Sequence, residues 1–217
     1  MKKLHFKNAF TMVELVLVIV VLGILAALAI PRMDRDRSQE ASDTLLSAIR
    51  YAQHMAINDY REQPEDSEWQ KSFWQFRVER CSDSSGMFFM VGADKDKGGD
   101  INKSEAALDP SNGKPMYWNN SDCSDGGDGT VSENIFISKK FGVDDIDGSG
   151  GCSDIQHIGF DHLGRPHVSF RNSDTPDYST YMSSDCTFTF TIKGEDNISI
   201  VIESETGYAY IKDQNAS

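Results

Sequence analysis

AFTMVELVLVIVVLGILAALAIP, residues 9–31, decides how the rest of the chain is read. From Phe10 to Ile30 run 21 residues in which only Thr11 and Glu14 are strongly polar. As a helix this run spans roughly 30 Å at about 1.5 Å per residue, the thickness of a bilayer core. It reads as a transmembrane helix with three possible fates: a signal that is cut off, a plain anchor, or an anchor that also assembles. Glu14 separates them. A carboxylate at mid-bilayer costs about 2.5 kcal/mol or more, and neither a discarded signal nor a plain anchor has a use for it. An acid inside a membrane looks for a partner, and a new α-amino group at Phe10, made by cutting after Ala9, would supply one.

The residues before the run are short and basic, with Lys2, Lys3 and Lys7 ahead of Ala9. The frame Ala9-Phe10-Thr11-Met12-Val13-Glu14, behind that leader and ahead of the apolar run, resembles the type III signal of type IV pilins and type II secretion pseudopilins. The resemblance implies that a prepilin peptidase cuts between Ala9 and Phe10 and N-methylates Phe10. It also implies that the apolar helix stays on the mature protein, with Glu14 serving assembly. Most relatives have Gly before the cut; here the residue is Ala9.

Composition narrows the class further. The chain has 217 residues and a net charge of −13, and loss of the leader would remove three more positive charges. Such a balance argues against a nucleic-acid or anionic-lipid surface, which needs clustered Lys and Arg. Cys81, Cys123, Cys152 and Cys186 all lie beyond the apolar run. A positive leader keeps the N-terminus cytoplasmic and places the remainder outside, where four cysteines suggest two disulfides with three possible pairings. The resemblance implies the bacterial inner membrane, single-pass, with a periplasmic C-terminal domain.

The expected organisation is a leader over 1–9, a transmembrane and assembly helix over 10–30, an amphipathic stalk helix over 31–62 and a β-rich domain over 63–217. Pro31 sits where a kink is expected. Arg32, Asp34, Arg35, Asp36 and Arg37 read as a solvated interfacial turn. Leu45, Ile49, Ala52 and Ala56 then recur at helical spacing and predict a narrow apolar face. Beyond Gln63-Pro64 the period becomes two. Residues 73–80 and 87–91 read as a hairpin, 157–160 and 167–170 as strands around a turn, and 187–193, 198–202 and 208–211 as a closing meander. Residues 92–151 read as one long acidic loop with a single strand at Ile135-Phe136-Ile137. This order is similar to that of the H-type minor pseudopilins and related minor pilins. The resemblance implies an α+β fold, with a long N-terminal helix packed on antiparallel β-sheet. It also implies partners among the other major and minor pseudopilins (or pilins), and secreted cargo.

The sharpest chemical motif is Asp94 to Glu105, DKDKGGDINKSE. Asp94, Asp96, Gly99, Asp100 and Glu105 fall on positions 1, 3, 6, 7 and 12 of an EF-hand loop. Gly98 stands at position 5, so one oxygen is missing. Asp94, Asp96, Asp100 and Glu105 are therefore candidate ligands of a structural calcium ion. Asp122 to Asp128 and Asp144 to Gly148 are weaker candidates of the same kind. His157, His162 and His167 match neither strand nor helix spacing and are expected at the surface or in turns. Glu195-Asp196-Asn197-Ile198-Ser199 fits an extended bacterial N-glycosylation sequon and equally a tight turn. No GxSxG or HExxH frame occurs, and no Gly-rich loop opens a helix after a strand. The chain is expected not to be an enzyme.

Overall fold

A helix, α1, runs from Met12 to Asn58, 47 residues in all. The structure is a computed structural model that describes residues 11–60, 63, 65–82, 84–152 and 157–212, with the side chains of 27–36 outside the description. Ala9, Phe10 and the leader lie outside it too. The backbone is helical across 31–37, where an interfacial turn was expected. The chain divides into a first unit up to Arg37 and a second from Ser38 onward.

In the second unit the narrow stripe does what its spacing predicts. Ala41, Leu45, Ile49, Ala52 and Ala56 are buried. They join one core with Trp74, Phe76 and Val78 from one sheet and Phe188, Phe190 and Ile192 from another. Small residues on the helix let it lie close to the strands. The helix is also tied to loops by its polar flank. Arg50 donates to the Ala209 carbonyl at 2.7 Å, and Gln53 Nε2 donates to the carbonyls of Gly164 and Thr206. Trp74 Nε1 donates to Asp59 just past the helix end.

The strands form two four-stranded antiparallel sheets, and the expected closing meander lies within the second. The first has the order β2-β1-β4-β5, with β1 Trp74–Arg80, β2 Met87–Ala93, β4 His157–Phe160 and β5 Pro166–His167. The second has the order β3-β6-β7-β8, with β3 Val143–Gly150, β6 Cys186–Ile192, β7 Ile198–Ile202 and β8 Ala209–Ile211. The β1–β2 hairpin holds Trp74 opposite Ala93 and Arg80 opposite Met87. In β6, Phe188, Phe190 and Ile192 are buried and the threonines between them half-buried, as strict alternation requires.

Two expectations for the acidic middle are corrected. Ile135-Phe136-Ile137 is not a strand: a 3-10 turn over Glu133–Ile135 leads into the short helix α2, Ile137–Phe141. All three residues are buried in succession, which one helical turn achieves and an alternating strand facing water does not. Val143 to Gly150, expected as loop, is the edge strand β3. Only Val143 and Ile146 are buried there. The exposed Asp144, Asp145 and Asp147 are the charges with which an open sheet edge discourages pairing with other chains, and they mask the strand pattern.

Both faces of the first sheet are covered. Its outer face carries Gln75, Arg77 and Glu79 of β1. Gly92 and Gly159, opposite Gln75, leave room for what lies above: a Cβ on Gly92 would meet Ile101 at 2.7 Å, and one on Gly159 would meet the Phe170 ring at 2.5 Å. These two close approaches seat the acidic loop and the segment after β5 on the sheet. Trp69, Phe73 and Phe170 form a small second cluster.

Candidate functional site

Two places carry chemistry. The first is the start of α1. Thr11 precedes the helix, and the Glu14 backbone N–H donates to its hydroxyl at 3.3 Å. Thr11-Met12-Val13-Glu14 has the T-x-x-E form of a helix-start capping box, with an acid in the first turn where the helix dipole favours it. The spacing of Glu14 from Thr11 thus carries a second signal beside that of an intramembrane acid. Every residue from Thr11 to Ala26 is exposed; Val16 is 57 % and Leu22 58 % accessible. Among the described residues no helix is long and apolar enough to cross a membrane.

The second place is the loop after β2. Asp94, Asp96 and Glu105 each bring a carboxylate oxygen within 4.8 Å of the others, and this is the metal-capable acidic group found among the described residues. Asp94 and Glu105 are buried, and Asp96 is exposed. The backbone wraps inward around them. Glu105 Oε1 accepts the N–H groups of Lys95 and Asp96, and its Oε2 accepts that of Asn102. Asp94 accepts from Gly98 and Gly99, and Asp96 from Gly98. Burial raises the Asp94 pKa, against the pull of the Gly99 N–H, and the neighbouring Asp96 and Glu105 raise it further. Hard oxygen donors crowded in this way suit a calcium-sized cation and would be relieved by its charge.

Asp100, the fourth expected ligand, is not in that group. Its carboxylate pairs with Arg77 of β1 at 2.9 Å and Arg171 at 2.6 Å, and the Arg77 hydrogen bond leads the causes that lower its pKa. Arg171 also donates to the Gly99 carbonyl. Position 7 of an EF-hand loop gives its backbone carbonyl, so this side chain is free to fasten the loop to the sheet. The weaker candidates are not gathered with the first: Asp144, Asp145 and Asp147 lie along β3, with Asp145 paired to Arg80.

Cys81 pairs with Cys123 and Cys152 with Cys186, at Cα separations of 6.1 and 5.1 Å. The first bond ties the end of β1 to the acidic middle of the chain. The second ties the residues after β3 to the start of β6.

The histidine expectation is corrected at His167, which is 1 % exposed. Its Nδ1 lies 2.8 Å from the Thr180 hydroxyl and its Nε2 3.6 Å from Asp161. Burial alone would raise the Asp161 pKa, but His167 and Arg165 hold it well below the usual carboxylate range. His157 is half-buried, and burial with Arg171 and Arg77 nearby lowers its pKa to about 4. Sequence reasoning gives no sign of Asp109 either. It is buried and accepts from Ser111, Asn112, Ser132 and Asn134. The turn contains an SxxK spacing, Ser111 to Lys114, but the Ser111 hydroxyl is spent on Asp109 at 2.7 Å.

Comparison with curated proteins and with solved structures finds no match. The family model of the prokaryotic N-terminal methylation motif matches residues 5–30. That span takes in Ala9, Phe10, Thr11, Glu14 and the apolar run. The α+β architecture, a helix on antiparallel sheets, is consistent with a pilin-like fold. The N-terminus of this chain carries a type IV pilin-like prepilin signal.

Proposed function

We propose that the chain is a minor pseudopilin of a type II secretion system, with a minor type IV pilin of pilus assembly or DNA uptake as the alternative. The matched methylation motif carries the proposal. The apolar helix waits in the inner membrane as a single-pass anchor with the head in the periplasm. Prepilin peptidase cuts between Ala9 and Phe10 and methylates the new amine. Glu14 then pairs with the Phe10 amine of a neighbouring subunit, so that neither charge stays unpaired where the dielectric is low. The exposed apolar surface from Met12 to Leu25 is consistent with a segment that other helices cover after assembly. The partners are the other major and minor pseudopilins, with secreted cargo at the head. No catalytic role is assigned. The head holds a structural calcium at Asp94, Asp96 and Glu105, with Asp100 bracing the loop from outside. The ion would neutralise carboxylates that are otherwise crowded together.

N-terminal sequencing of the membrane-extracted protein tests this reading. The expected first residue is N-methylated Phe10; an intact Met1, or a cut after Ile30, would sink it. Deleting the gene and scoring secretion against twitching and transformation separates the pseudopilin from the pilin.

A further inference from the structure

The sequon at Glu195 to Ser199 serves neither assembly nor the acidic loop. Its frame is an acid, any residue, Asn, any residue except Pro, then Ser or Thr. That frame occurs three times in the chain: at 100–104, 195–199 and 213–217. Asp213 to Ser217 lies outside the described residues, and the other two can be compared.

Asn102 is poorly placed. It is half-buried, its Nδ2 faces Asp96 at 3.3 Å, and its Oδ1 accepts from the Ser104 hydroxyl and N–H. A glycan on that nitrogen would displace its contact with Asp96, a member of the acidic group. Asn197 stands differently. It is exposed at the tip of the β6–β7 hairpin, and its side chain has no hydrogen-bond partner among the described residues. Asp196 and Gly194 beside it are exposed, and a Cβ added to Gly194 would meet nothing within 4 Å. A bulky polar chain attached there displaces nothing.

We propose that Asn197 is an N-glycosylation site, read by an oligosaccharyltransferase on the outer side of the membrane. The proposal rests on the reading that the head is exported. The Asn197 Nδ2 attacks C1 of the first sugar of a polyprenyl-diphosphate-linked oligosaccharide. The C1–N bond forms and the C1–O bond to the diphosphate breaks. The electron pair leaves with the lipid diphosphate, and the amide nitrogen gives up one proton; nothing is oxidised or reduced. Ser199 is the second residue of β7, half-buried, with its hydroxyl 3.4 Å from that of Thr189. Local opening of the β6–β7 tip frees Ser199 and presents the whole frame to the transferase, and reclosing leaves the glycan in solvent.

The test expresses the full-length chain in a bacterial host that carries a periplasmic oligosaccharyltransferase and its lipid-linked oligosaccharide. Peptide mass spectrometry is the readout, and the same host without the transferase is the control. Glycan on the Asn197 peptide only in the first host is expected. Asn197→Gln should abolish it, and Ser199→Ala should cut occupancy about tenfold or more. Glu195→Gln should cut it several-fold and Asn102→Gln should leave it unchanged. Protease applied to spheroplasts reports export separately. A digested head with a bare Asn197 peptide overturns the site alone. A glycan confined to Asn102 or Asn215 also overturns it. A head that protease cannot reach overturns the export reading and the site with it.

Discussion

Between Met12 and Leu25, α1 presents Leu17 at 62 % and Ile19 at 60 % exposure, while between Ala41 and Ala56 the same helix hides Leu45, Ile49 and Ala52 completely. The two stretches differ in pattern more than in helicity. The first is apolar all round, so turning it cannot bury it within one subunit. The second confines its apolar residues to one stripe of Leu, Ile and Ala, with Asp43, Arg50 and Gln53 off it. A stripe can be satisfied by the chain's own sheets; a fully apolar cylinder has to find its cover elsewhere. The contrast says that the head is built to stand alone and the first helical turns are not.

Reducing the disulfides should sharpen that contrast most. Each closes a loop of 42 or 34 residues in the head, and each should contribute about 4 kcal/mol by restricting the unfolded chain. In detergent, reductant should lower the denaturant midpoint of the head while circular dichroism still shows the apolar helix. Loss of both together would break the comparison. Leu45→Ala comes next, at about 3 kcal/mol of head stability by urea unfolding, because it opens a cavity in a closed core. Leu17→Ala should cost the head less than about 0.5 kcal/mol.

Acid offers a third test. The His157 pKa falls from 6.5 to about 4 on folding, so the unfolded chain binds the extra proton first. Its stabilisation is full above pH 6.5 and is lost as pH falls toward 4, up to about 3 kcal/mol. His157→Gln should flatten the urea-midpoint curve between those pH values. Calcium should stabilise the head by about 2.7 kcal/mol at a hundredfold excess over Kd, read as a higher melting temperature, and chelator should reverse it. Asp94→Asn should abolish the response, and an unchanged melt would remove the ion from the account. The most local effect belongs to Thr11→Ala. Loss of the cap should fray the first turn of α1 by about 1 kcal/mol, seen as faster amide exchange there, with the head unmoved.

Much was legible because the signals were local. The amphipathic stripe, the Phe188-Phe190-Ile192 alternation and the Asp94 to Glu105 spacing are all carried by residues a few positions apart. The edge strand β3 was hidden because its charges serve the edge rather than the pleat. His167 gave no sign of burial, since what surrounds it comes from Phe73, Asp161, Thr180 and Tyr181 on separate segments. Asp100 fitted the loop spacing, yet two arginines distant in sequence claimed its side chain.

By itself, then, the amino-acid order determined a prepilin-type N-terminus, one long helix, a β-rich head and the residues of an acidic loop. These depend on period, spacing and composition, which a chain displays before it folds. Tertiary structure alone decided that the strands divide into two sheets and which cysteines pair. It also decided that Asp100 leaves the acidic group, and that Asn197 rather than Asn102 stands clear of its neighbours. Each of those turns on which distant segments meet, and only the packed core brings them together.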